Sequence, residues 1–246
     1  MVNKIIIVIF LVSLSLVSYS QSNEYDYVEE KPFLTKKEFA FSAVLHTSGW
    51  GLSFRKGENL TVNKKRLYEI EFLSMKHPKE YKSVTYIGER PKSFIYGKMN
   101  ALLVAHGGYR FEKILFSKTE RNTFEIRFHA TGGVSLGLTK PVYYIYKISN
   151  EISLIDKFNP DSAYAPEQIA GKAEFTKGFD EIKLYPGLYL KTGTMFEYNP
   201  LNDGITAIEV GMLLDVYGKK IPIMAYAKNK QVWFNFYATL TIGRKS

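Results

Sequence analysis

Near its C-terminal end this chain alternates apolar and polar side chains with a period of two. Val232, Phe234, Phe236, Ala238, Leu240 and Ile242 share one face, while Trp233, Asn235, Tyr237, Thr239 and Thr241 share the other. That spacing is the spacing of a β-strand, whose successive side chains point to opposite sides of the sheet. The preceding segment repeats it, with Ile208, Val210, Met212, Leu214 and Val216 set against Glu209, Gly211, Leu213, Asp215 and Tyr217. Six more strands are expected over about 38–46, 49–55, 66–75, 100–112, 123–146 and 182–198, and no stretch of useful length carries a helical period. The run from Asn199 through Pro200, Asn202 and Asp203 to Gly204 is a strong turn signal between two of them. The connection 218–230 reads as polar and basic.

Strands of this kind must close on something, and two features choose between a soluble and a membrane barrel. Several strands reach the ~9–11 residues that a tilted strand needs to cross a bilayer, beyond the ~5–6 of an average soluble strand. The non-apolar face also mixes charge with glycine, as in Glu125, Arg127, His129, Gly133 and Gly137 along one strand. A crowded small-barrel lumen needs such a mixture, because small residues leave room for long charged ones. The fold class expected is therefore all-β: a closed antiparallel up-and-down transmembrane β-barrel of about eight strands. Its apolar face meets lipid. The long connections 76–99 and 147–181 would lie outside, with short turns and both mature termini on the periplasmic side.

The first twenty residues support export. Lys4 precedes an apolar run from Ile5 to Leu16, and small residues follow at Ser18 and Ser20. This is a signal peptide (1–20), too short for a comfortable membrane-spanning helix. A polar periplasmic tail (21–36) follows, and the barrel occupies 37–246. With 17 Phe and 18 Tyr the chain has the apolar surface that disordered chains lack. Zero Cys excludes a disulfide scaffold, a thiol enzyme, a Cys-based zinc site and a lipid-anchored lipoprotein.

The mature chain resembles the small outer-membrane β-barrel proteins common in Bacteroidota. The resemblance is carried by the Ser/Tyr-rich end of the leader followed by Gln21, by the run from Gly132 and Gly133 to Tyr143 and Tyr144, and by the alternating aromatic terminus. It implies the barrel and its location. The group includes structural barrels and accessory subunits of secretion or barrel-assembly machines, so it implies no single activity.

Directing the apolar faces to lipid sends Arg55, Glu69, Glu71, Arg110, Glu125, Arg127, Lys191, Glu209 and Asp215 inward. Eight strands enclose a space that side chains fill, so these charges should pair as a plug and not line a channel. The parity permits a register with Arg110 opposite Glu125 and His106 opposite His129, and Lys191 within reach of Asp215. The two histidines form a lumen pair with no metal, since no third ligand or His-x-x-x-His spacing supports one. No cofactor is expected.

An enzyme reading, a lipid A deacylase or acyltransferase at the membrane rim, needs Ser, His and an acid together. Ser135 and His129 lie six residues apart on one strand, roughly 20 Å. His129 is near Thr131, an uncommon nucleophile. No Gly-x-Ser-x-Gly elbow or nucleotide fingerprint appears, so no catalytic residue is assigned. The third alternative is a soluble periplasmic barrel that binds an apolar ligand.

Outside the barrel, Lys76, Lys79, Lys82, Arg90 and Lys92 crowd one connection and suit lipopolysaccharide phosphates. Tyr143, Tyr144, Tyr146, Phe158 and Tyr164 are candidates for docking another outer-membrane protein or capping the barrel mouth. The net charge of +9 is spread among loops instead of forming one stripe, which argues against nucleic acid.

Overall fold

The computed structural model describes residues 37–61, 63–87, 91–116, 124–149, 152–160, 166–198 and 204–245. The expected leader and tail (1–36) and the turn at 199–203 lie outside the described residues.

Eight strands close into an antiparallel barrel: β1 (Lys37–His46), β2 (Gly49–Thr61), β3 (Lys64–Met75), β6 (Asn100–Phe116), β7 (Phe124–Pro141), β11 (Lys183–Tyr198), β12 (Gly204–Tyr217) and β13 (Val232–Lys245). Chain neighbours pair with each other, and β1 completes the circle on β13, with Glu38 opposite Lys245 and His46 opposite Tyr237. Closure satisfies the backbone of every strand and leaves no sheet edge. The barrel strands run from 10 to 18 residues, long enough to cross a bilayer at a tilt.

The faces follow the alternation. Along β1, Glu38, Ala40, Ser42, Val44 and His46 are buried while their neighbours are exposed. Along β13, Trp233, Asn235, Tyr237, Thr239 and Thr241 point inward, and Phe234, Phe236, Leu240 and Ile242 stand on the outer wall. The arrangement inverts a soluble protein: charge inside, hydrocarbon outside. Aromatic pairs mark one rim, with Tyr68 on Tyr109 at 5.8 Å and Phe124 on Tyr198 at 5.5 Å between ring centroids.

At the rim that carries both barrel termini, only residues 62 and 63 separate β2 from β3. The connections at the opposite rim are longer apart from the first, Thr47-Ser48. Here the structure departs from three expectations. The segment 76–99 contains a small hairpin, β4 (Lys82–Thr85) with β5 (Lys92–Ile95). The expected single strand over 123–146 is two: β7 ends at Pro141, whose nitrogen cannot donate to a ladder. After it β8 (Tyr143–Lys147) joins β9 (Ser153–Lys157) and β10 (Ile169–Lys172) in a separate three-stranded sheet. A 3-10 turn, Pro166–Gln168, leads into β10.

The third departure is the connection 218–231, which turns back into the barrel mouth. Its Ile221 and Ile223 are fully buried against Val44, Leu73, Met75, Leu102, Val104, Leu213, Tyr217 and Trp233. Backbone bonds from Met99 and Asn100 to the Ile223 carbonyl (2.9 and 3.2 Å) fasten it in place. Gly137 makes room for it, since a Cβ there would lie 3.2 Å from Ile221 Cδ1.

Candidate functional site: a sealed lumen and an overhanging loop sheet

All nine charged residues expected inside the barrel are buried there: Arg55, Glu69, Glu71, Arg110, Glu125, Arg127, Lys191, Glu209 and Asp215. Arg110 sits at the centre of the network. Its guanidinium donates to Glu112 (2.6 Å), Glu209 (2.6 Å) and Glu69 (3.4 Å). Arg55 donates to the same Glu209 at 2.9 Å, and Lys191 donates to Glu69 (2.9 Å) and Glu71 (2.5 Å). Nearer the terminal rim, Arg127 ion-pairs with Glu125, Glu197, Glu112 and Glu38. Burying a charge is costly unless it is paired and hydrogen-bonded, and this lumen meets that condition by sharing Arg55, Arg110, Arg127 and Lys191 each among several carboxylates.

Five further ionic residues complete the network and were absent from the expected set: Glu38, Lys65, Glu112, Glu197 and Lys245. Lys65 and Lys245 pair with Glu38 and Glu197 respectively. Their parity matches the inward residues of their own strands. Glu38, Glu112 and Glu197 lie inside the expected strand bounds and follow from the alternation alone, whereas Lys65 and Lys245 lie just beyond them.

The expected cross-strand pairs are not formed. Between β6 and β7, Arg110 stands opposite Thr131 and His106 opposite Ser135, so the ladder is displaced by six residues from the register that would align Arg110 with Glu125. Six is even, so every side chain keeps its face while its partner changes. The lumen histidine pair is thereby corrected. His106 stacks on Tyr189 with ring centroids 4.1 Å apart, and its two nitrogens face Glu71 (3.1 Å) and Asp215 (2.7 Å). His129 lies near Glu209 (3.1 Å), with its Nε2 2.9 Å from the Tyr237 hydroxyl oxygen. Asp215 is held by His106 and by the Ser135 hydroxyl (3.0 Å), while Lys191 takes Glu69 and Glu71.

The space for these rings comes from glycine. A Cβ at Gly193 or Gly211 would lie 2.6 or 2.7 Å from the Tyr237 hydroxyl.

At the opposite rim the three-stranded sheet hangs over the outer wall. Its core comprises Phe94, Val142, Tyr144, Tyr146 and Ile169, with Ala101 and Phe158 packed against it. Tyr144 and Tyr146, expected to dock a partner, are buried in this core. The Tyr144 hydroxyl donates to the carbonyls of Ile95 (2.7 Å) and Lys98 (3.0 Å), fixing the sheet to the neighbouring hairpin. Tyr143 stays partly exposed and donates to Glu181, which also takes Lys157. Those two bonds hold the Glu181 carboxyl below the usual carboxylate range. Lys140 Nζ reaches the Phe175 and Lys177 carbonyls at 2.5 and 3.0 Å, tying residues 173–182 to the wall. Of the expected lipopolysaccharide contacts, Lys76, Lys79, Lys82 and Lys92 are exposed at this rim. Arg90 and Tyr164 lie outside the described residues.

The chemistry available is limited. Ser135 gives its hydroxyl to Asp215 and Tyr217 inside the lumen, where a lipid cannot reach it. Among the described residues no three His, Asp or Glu side chains converge as a metal site requires.

No protein-family profile matches the chain, and no curated protein matches it. Solved barrels do align with it. Ail, the attachment invasion locus protein of Yersinia pestis, solved alone and with the heparin analogue sucrose octasulfate, gives a TM-score of 0.40 at 6% identity, covering 86% of this chain and 97% of that one. Neisserial surface protein A gives 0.36 at 10% identity, covering 85% and 94%. Likenesses of this depth say nothing about activity, since one architecture hosts many functions.

Proposed function

We propose that this chain is an integral outer-membrane barrel with a side-chain-filled lumen. It acts without catalysis, as a structural or accessory subunit of an envelope complex, through its loop end. The observation that carries the reading is the inversion of the wall. A closed barrel that buries, among the described residues, fourteen Asp, Glu, Lys and Arg side chains while exposing Phe41, Leu52, Phe72, Leu188, Phe236 and Leu240 is stable where hydrocarbon, not water, surrounds it. In water the same surface would be a large apolar patch prone to association. Among the described residues no helix is long and apolar enough to cross a membrane.

The accessory role rests on the overhanging sheet. Ile152, Ile155, Phe175, Phe179 and Tyr226 remain exposed at the loop end. Exposed apolar side chains on ordered loops suit contact with another protein.

Three measurements test the proposal. Purified protein in detergent should migrate differently on a gel before and after heating, and in planar bilayers it should give no steady conductance. Identical migration would reject the membrane barrel, and a stable open-pore current would reject the filled lumen. Shortening the chain between 150 and 178 should leave heat-modifiable migration intact and reduce the partners recovered in mild detergent. Full recovery would remove the accessory role.

A further inference from the structure

Where the three-stranded sheet meets the barrel rim there is a pocket of about 230 Å³ lined by Lys82, Ser93, Lys98 and Lys172 over a floor that includes Val142 and Tyr144. We propose that this pocket binds the phosphate group of a glycolipid headgroup in the outer leaflet; the proposal rests on the membrane-barrel reading above.

Three observations support it. The first is charge without a counter-charge. Lys98 is ion-paired with Glu80 at 2.5 Å, but no carboxylate among the described residues contacts Lys82 or Lys172. Burial and the charge of Lys98 push the Lys172 ammonium below its ordinary value, the response of a cation whose surroundings supply no anion. A bound phosphate would supply that anion, with Ser93 as a further hydroxyl donor.

The second is that the pocket is built, not left over. Tyr144 pins the carbonyls of Ile95 and Lys98 beneath it. Gly171 lets β10 pass against β5: its φ is +145°, and a Cβ there would lie 2.8 Å from Lys92 Cδ. Lys172, the next residue, is set beside the pocket by that close approach.

The third is location. Ala101 also lines the pocket and lies on the outward face of β6, two residues beyond the exposed Leu103, or roughly 7 Å of strand. Val142 continues the outward parity of β7. The pocket therefore lies outside the wall, just beyond its apolar belt, at the depth where headgroup phosphates of a spanned bilayer lie. A soluble phosphate would have no need of that depth.

The test uses the full barrel, folded in an uncharged detergent. Binding of bisphosphorylated lipid A, dephosphorylated lipid A and inorganic phosphate would be measured by native mass spectrometry and by competition. The phosphorylated lipid should bind at least about tenfold more tightly than its dephosphorylated form, as expected for two exposed cations facing an anionic headgroup. The double variant Lys82→Gln, Lys172→Gln should lose that preference, while Lys219→Gln, Lys220→Gln at the mouth keeps it. Heat-modifiable migration, measured on each variant, separates loss of the pocket from failure of the barrel reading. Equal affinity for the two lipids, or a preference that survives the double variant, would overturn the proposal. Inorganic phosphate binding as tightly as the phosphorylated lipid would overturn the headgroup assignment.

Discussion

The two halves of this barrel's interior are filled by opposite means. Toward the terminal rim, Arg110, Arg127, Arg55 and Lys191 are surrounded by carboxylates, and the space is closed by ion pairs. Toward the loop rim, Leu73, Val104, Leu213 and Trp233 line an apolar space that Ile221 and Ile223 enter from the connection 218–231. Both halves use the same inward parity on the same strands. The difference teaches that alternation decides which face is inward but not how the interior is satisfied. A charged filling works through specific partners, whereas an apolar filling works through shape and needs a piece of chain to complete it.

If that contrast holds, damage to the ionic half should be the more severe. Arg110→Ala leaves Glu112, Glu209 and Glu69 facing an empty place, and stripping one partner from a buried ionic cluster costs about 3–5 kcal/mol. Denaturant unfolding in lipid vesicles should show a loss of that size. A change below about 1 kcal/mol would mean that the lumen is wet and its charges are solvated.

The outer wall should respond next. Leu240 stands exposed near the middle of β13, and Leu240→Arg should destabilise the inserted barrel by about 2–4 kcal/mol, the cost of a basic residue near the bilayer midplane. The same unfolding assay measures it, and a neutral result would mean that this face does not meet lipid.

A smaller effect is expected in the mouth. Ile223→Val removes one buried methylene and should cost about 0.5–1.5 kcal/mol. Because the segment is fastened at 97–100, the loss should show as faster hydrogen exchange at Ile221, Ile223 and Ala225 while the ionic half stays protected. Uniform acceleration across both halves would show that they open as one unit.

The smallest effect lies outside the wall. Glu181 has its folded-state carboxyl value depressed by Lys157 and Tyr143, so its contribution is fully present above the ordinary carboxylate range. It is lost as pH falls through the lowered folded value. Limited proteolysis of the loop sheet should therefore be unchanged between neutral and mildly acidic pH and increase only in strong acid. An increase already near neutrality would contradict this link.

Much of this architecture was legible in the sequence because its physics is local. The eight barrel strands and the inward set from Arg55 to Asp215 follow from a period of two, which needs no knowledge of partners. Partners are a different matter. β6 and β7 each carry several inward polar residues, and sliding one past the other by an even number preserves every face, so the sequence permits both Arg110 opposite Glu125 and the observed Arg110 opposite Thr131. The choice depends on the other strands, since Arg110 is held by Glu209 from β12 and Glu69 from β3. The mouth was hidden for a compositional reason: Lys219, Lys220, Lys228 and Lys230 make 218–231 polar on average, although Ile221 and Ile223 alternate with Pro222 inside it. Tyr144 and Tyr146 were placed at a docking surface because the sequence does not reveal that the buried parity switches after Pro141, from odd-numbered residues in β7 to even-numbered ones in β8.

The central claim, a wall turned to lipid around a sealed interior, can be tested with the protein's own two tryptophans. Trp50 stands on the outer wall with 57% of its surface exposed, and Trp233 points into the lumen with 2%. Single-tryptophan variants, Trp233→Phe and Trp50→Phe, would be reconstituted with brominated phospholipids and their fluorescence compared with that in ordinary lipid. Trp50 should be strongly quenched by the bromolipid. Trp233 should be quenched far less, and should also be shielded from aqueous iodide. Equal quenching of the two by bromolipid, or ready access of iodide to Trp233, would contradict the account.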